Sequence, residues 1–218
     1  MKDKRGNLIW LVLPLAVVAA LLTIKGGGHA SKTDASQKPA AKPSATATDA
    51  GADGQSSKDR SPEHFGTQVK LYAHEARVDP VLLMAILYNE SDKPHDANFE
   101  RTWQRFKPDA AFGIANMHRA AFDDTKDGRP FQNRRWEELP DDPALAVRAA
   151  AWFLHDLARQ LPSDRSSTFS KSDLLALGYN AGAGNMRLFA EGTKPGPQAA
   201  SYLSRLHDNW PKAQAALR

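Results

Sequence analysis

The chain has 218 residues, no cysteine and a formal charge of +4, and that charge is unevenly spread. Nine of the 29 basic and five of the 25 acidic residues lie in 1–60, which leaves 61–218 with twenty of each. So balanced a domain has no electrostatic footprint for nucleic acid, and a chain without cysteine excludes thiolate chemistry, cysteine-ligated metal and disulfide staples.

The first element is an uncharged run of 17 residues from Leu8 to Ile24, preceded by Lys2, Lys4 and Arg5. It fits two readings, a single membrane span with a cytoplasmic N-terminus or the apolar core of a secretory signal. The remainder is expected outside in either case. It stays at the cell membrane if 8–24 is retained, and is secreted if cleavage occurs near Gly28-His29-Ala30. Three regions are thus predicted: 1–24 as basic flank and anchor or signal, 25–62 as an Ala/Pro/Ser/Thr linker with nearly nothing apolar to bury, and 63–218 as one folded domain.

Within 63–218 the periodic segments read as helices. Phe65, Val69, Tyr72 and Ala76 mark the first, which ends near Arg77. Asp79 and Pro80 give the next a strong start, a side-chain cap followed by a proline whose missing N–H costs nothing there. Leu83, Ile86, Leu87 and Glu90 share one face of this helix, so a carboxylate ends an apolar stripe. Spacing leaves two readings open for Glu90. It is a helix-end side chain turned to solvent, or a carboxyl drawn inward, where burial raises its pKa and makes it a general acid.

Residues 91–112 read as a long polar loop dotted with Phe99, Trp103, Phe106 and Phe112, and a loop of that kind is expected to be functional. Asp142-Pro143 repeats the cap-and-proline start for a helix reaching about Leu161. Ser170 caps another, with Leu174, Leu177 and Tyr179 apolar. Tyr179-Asn180-Ala181-Gly182-Ala183-Gly184-Asn185 then closes that helix and opens a short one to Ala190, with Gly182 and Gly184 supplying positive φ. A last helix runs from about Ala199 through Leu203, Leu206 and Trp210. Six or seven helices and no confident strand predict an all-α or strongly α-rich domain. The seven histidines form no H-E-x-x-H pair, and His74-Glu75 and His155-Asp156 read as helix-surface residues. No metal and no cofactor is expected.

Four of these segments, in this order, resemble something known. They are Glu90-Ser91 closing an apolar helix; Ala111-Phe112-Gly113-Ile114-Ala115-Asn116-Met117; Tyr179-Asn180-Ala181-Gly182 with Gly184-Asn185; and Tyr202-Leu203 in the last helix. Together they resemble the soluble lytic transglycosylase family of the lysozyme-like superfamily, related to goose-type lysozymes, over about 64–211. Asn116 stands where the family usually has Gln, Ala115 and His118 where larger apolar residues are common, and 95–110 is longer than a compact member needs.

The resemblance implies a lysozyme-like fold acting on peptidoglycan glycan strands as a monomeric catalytic domain, with Glu90 as the one catalytic residue. On the family's model Glu90 protonates the oxygen between N-acetylmuramic acid and N-acetylglucosamine. It then takes the proton of the muramyl C6 hydroxyl as that group attacks C1, giving a 1,6-anhydro product. The resemblance makes Ser91, Asn116, Tyr179, Asn180 and Tyr202 substrate-binding. Local readings stay open beside it: Ser91 as a helix-end hydroxyl, Asn116 as a loop-fixing amide, Asn180 as a tie within its motif. Trp103, Phe106 and Trp136 are candidates for stacking on sugar rings or for core and rim. No second carboxylate has a defensible spacing, since Asp92, Asp96, Glu100 and Asp109 all read as surface residues. The alternatives are a hydrolytic goose-type muramidase and a low-activity glycan-binding domain.

Overall fold

The computed structural model describes residues 60–91 and 96–218. The apolar run 8–24, linker residues 25–59 and Asp92 lie outside the described residues. Among the described residues, no helix is long and apolar enough to cross a membrane.

A 3-10 turn, Pro62–Phe65, leads into α1 (Gly66–Ala76). Helix α1 stops where Arg77 turns left-handed at φ 56° and ψ 46°, and the Val78 N–H closes back on the Ala73 carbonyl at 2.9 Å. Asp79 then caps α2 (Pro80–Glu90), its Oδ1 accepting the Val81 N–H at 2.8 Å. The single apolar stripe expected of α2 is an understatement. Every residue from Leu82 to Leu87 is at most 1% exposed, because α2 is enclosed by α1, by α5 (Pro143–Gln160), by α6 (Lys171–Ala190) and by α7 (Pro197–Ala216). A helix that is apolar all round belongs inside, and α2 is the post around which the others stand.

Residues 97–106, expected as loop, form a helix, α3 (Ala97–Phe106). Asp96 caps it, accepting from Asn98 N at 2.8 Å and Phe99 N at 3.0 Å. Its sidedness is the reverse of the usual pattern: Glu100 and Gln104 are buried, while Phe99, Trp103 and Phe106 are exposed. After it come two strands too short for alternation to register, β1 (Ala111–Phe112) and β2 (Met117–His118), paired antiparallel with Phe112 opposite Met117. The small helix α4 (Arg119–Lys126) follows.

The caps expected for α5 and α6 are present. Asp142 Oδ1 accepts from Leu145 N at 2.9 Å, and Ser170 and Asp173 cap each other's backbone reciprocally. The two helices expected on either side of the glycine motif are present within α6 and meet at a kink at Gly182, whose φ of 85° and ψ of 160° are not helical. Of the residues expected on helix surfaces, His74 is exposed, while Glu75 and His155 are half-buried and bonded. Glu75 accepts from Arg148 at 2.9 Å and from the Trp152 ring N–H at 2.8 Å, and His155 Nδ1 donates to the Ala76 carbonyl at 2.8 Å, so together they bind α1 to α5. Asp156 pairs with Arg129 at 2.8 Å. The described region is mostly helical with one two-stranded sheet, consistent with an α-rich α+β lysozyme-like fold.

Candidate active site

Glu90 is the last residue of α2, and only 8% of it is exposed. Of the two sequence readings, the inward one is observed. Its Oε1 accepts the Tyr202 hydroxyl of α7 at 3.0 Å, and its Oε2 accepts Asn116 Nδ2 at 2.8 Å. A buried carboxyl must have such donors, since an unpaired buried charge costs several kcal/mol, roughly.

The α7 side of this arrangement is fixed by a second buried network. Asn89 Nδ2 donates to the Tyr202 carbonyl at 3.0 Å, and Asn209 Nδ2 donates to Asn89 Oδ1 at 2.8 Å. Two amides thus lock α7 against the end of α2 and set the position of the Tyr202 ring.

Asn116 comes from the turn Gly113–Asn116 that joins β1 to β2. Its N–H closes the turn on the Gly113 carbonyl at 2.8 Å. Gly113 has φ 72°, and a Cβ there would lie 2.8 Å from the Leu139 carbonyl oxygen, so no other residue fits. Asn116 is itself left-handed at φ 46°, a region asparagine enters more readily than most residues. The turn is gripped from outside by Tyr179, whose hydroxyl donates to the Ala115 carbonyl at 2.7 Å. Beyond it, Trp136 Nε1 donates to the Met117 carbonyl at 2.9 Å.

Burial, and secondarily the charge of Glu90, pushes the Tyr179 hydroxyl well above the ordinary tyrosine value of 10.0. Burial and the Glu90 charge do the same to Tyr202. Both phenols therefore keep their protons at any working pH and remain donors.

The other expected residues are less central. Ser91 is the C-cap of α2, and its Oγ donates to the Tyr88 carbonyl at 2.9 Å, the helix-end reading. Asn180 is exposed; the side chain that ties the glycine motif is Asn185, whose Nδ2 donates to the Ala181 carbonyl at 2.8 Å. Trp136 is core, 2% exposed, with Phe112 against it edge to face at 5.2 Å. Trp103 and Phe106 are exposed. Sequence reasoning missed Asn89, Asn209 and Glu100. Asn89 carried a signal, as a polar residue inside an otherwise apolar helix. Glu100 is buried, not on the surface as expected, and its Oε2 accepts the Gly113 N–H at 3.0 Å.

A family model of the transglycosylase SLT domain matches residues 68–197. The chain belongs to that family. The matched span holds Glu90, the Gly113–Asn116 turn and the Tyr179–Asn185 motif, and ends before Tyr202. The match supports an enzymatic activity of the lytic-transglycosylase type on peptidoglycan. Neither the curated proteins nor the solved structures yielded a match.

Proposed function

We propose that this domain is a peptidoglycan lytic transglycosylase that cleaves the β-1,4 bond between N-acetylmuramic acid and N-acetylglucosamine without consuming water, using Glu90 as acid and then as base. The observation that carries the reading is the chemistry of the two groups on Glu90. A tyrosine hydroxyl and a primary amide can each donate or accept: the hydroxyl by rotating, the amide by presenting its carbonyl oxygen in place of its NH2. Such partners accommodate a carboxylic acid and a carboxylate in turn, which a residue serving as acid and then base requires.

Protonated Glu90 gives its proton to the glycosidic oxygen, and the bond to the muramyl C1 breaks with oxocarbenium character. The substrate's own N-acetyl oxygen stabilises the positive charge. Glu90, now a carboxylate, accepts the proton of the muramyl C6 hydroxyl as that oxygen bonds to C1. Proton and electron pairs balance with no external nucleophile. A nucleophile already held in the substrate has a large effective concentration, worth on the order of several kcal/mol, so one carboxyl group suffices. Asn116 and Tyr202 hold the reacting carboxyl, Tyr179 holds the turn that carries Asn116, and Ser91 and Asn180 are assigned to binding the glycan strand. The kinship with goose-type lysozymes belongs to the same reading, with the departure that water does not attack.

Replacing Glu90 tests the role of the acid. Glu90→Gln keeps the side-chain shape and both polar contacts but transfers no proton. It is expected to leave folding and glycan binding intact while turnover falls by a factor of about 100 or more. Turnover above about a tenth of wild type would contradict the single-acid reading.

A further inference from the structure

The inner face of helix α3 carries Glu100 and Gln104. Glu100 is 6% exposed and accepts the Gly113 N–H at 3.0 Å. The Gly113 carbonyl accepts the Asn116 N–H at 2.8 Å, and Asn116 Nδ2 reaches Glu90 Oε2 at 2.8 Å. Three hydrogen bonds in series therefore run from α3 to the carboxyl proposed to react. We infer that Glu100 is a positioning residue for Glu90, holding through Gly113 the turn from which Asn116 reaches the acid. The inference rests on the reading of Glu90 as the acid.

The turn needs such a hold. Both of its end residues are left-handed, at φ 72° and 46°, and Asn116 pays a steric penalty there that an unheld turn would relax. Tyr179 fixes Ala115 within the turn, and Glu100 fixes its opening residue. The reversed sidedness of α3 follows from this: its carboxylate has to face inward to reach the turn, and its aromatics are left outside. Displacing Asn116 by about 1 Å at a reacting group is enough to cost a large factor in rate.

The test uses the full chain and four variants: E100L, E100Q, N116A and the double variant E100L/N116A. Among the described residues, Asn116 from the turn, Tyr202 from α7 and Tyr179 from α6 face Glu90, and E100L replaces none of these three. With purified glycan strands, E100L is expected to lower kcat about tenfold or more while KM changes little. It should also move the alkaline limb of the kcat/KM profile, which reports the acid that must hold its proton, to higher pH, as N116A does, because the Asn116 donor to the ionised carboxyl is displaced. The double variant should be no worse than N116A by more than about twofold, since the two residues act through one bond. E100Q keeps an oxygen for Gly113 and should recover most of the loss.

Multiplicative losses in the double variant, or an E100L enzyme with unaltered kcat and pH profile, would overturn the inference. If E100L does not fold, E100Q decides: a loss beyond about tenfold would mean that Glu100 acts by its charge and not by holding the turn. If the wild-type chain does not turn over glycan, the reading of Glu90 fails. Hydrogen exchange of the Gly113 and Asn116 amides then decides the clamp: faster exchange in E100L than in E100Q supports it, and equal protection in both overturns it.

Discussion

Tyr202 and Glu90 shape each other. The phenol donates to the carboxyl at 3.0 Å, and the carboxylate charge adds to burial in holding the phenol protonated. A tyrosine whose folded-state pKa is raised contributes stability that is fully present below about pH 10 and is lost as pH climbs from there toward the folded value. In that window the unfolded chain releases a proton the folded one retains. Each such tyrosine steepens the loss by about 1.4 kcal/mol per pH unit. Tyr202→Phe is therefore expected to begin about 0.5–1.5 kcal/mol less stable near neutral pH, from the lost hydrogen bond. Above pH 10 its deficit should shrink, since it has one titrating phenol fewer. Urea unfolding of both proteins between pH 8 and 11 checks this, and parallel curves would contradict the coupling.

The elements differ in how much of them the sequence disclosed, and the difference is physical. The starts of α2, α5 and α6 are local events, each set by Asp or Ser against its own backbone, so Asp79-Pro80, Asp142-Pro143 and Ser170 were readable one residue at a time. Helix α3 was not readable. Its aromatics at 99, 103 and 106 have helical spacing, but they face outward while Glu100 and Gln104 face in, opposite to the pattern by which helices are recognised. The strands of the hairpin are two residues each and hold together through Trp136 and Tyr179, which are distant in sequence. At the site, Glu90 and Asn116 were legible as residue types in a resembling order. That Glu90 turns inward was not, because its partners lie 26 and 112 positions away.

The kinked helix α6 carries its own prediction. Gly182 needs its positive φ, but Gly184 is helical, exposed, and would meet nothing within 4 Å if it bore a Cβ. Nothing in the fold itself requires that glycine. Gly184→Ala should thus stabilise the domain by up to about 1 kcal/mol, seen as a raised Tm. If a glycan strand passes close over this turn, the same change should lower kcat/KM by about fivefold or more. A raised Tm with unchanged kcat/KM would remove Gly184 from the substrate surface.

At the scale of the whole domain, α2 is the enclosed post, and the hairpin turn, α6 and α7 all converge on its last residue. The hairpin brings Asn116, α7 brings Tyr202, and α6 brings Tyr179 to hold the turn. Hydrogen bonds among distant elements thus define one carboxyl and its surroundings. The account stands on that carboxyl acting alone, with the sugar's own C6 hydroxyl in place of water. The most direct measurement is the mass and isotope content of muropeptides released from purified glycan strands in oxygen-18 water. The account predicts products lighter by one water than those of a muramidase, with no reducing muramic end and no label at C1. A reducing, labelled product would contradict it, because water would then have attacked C1.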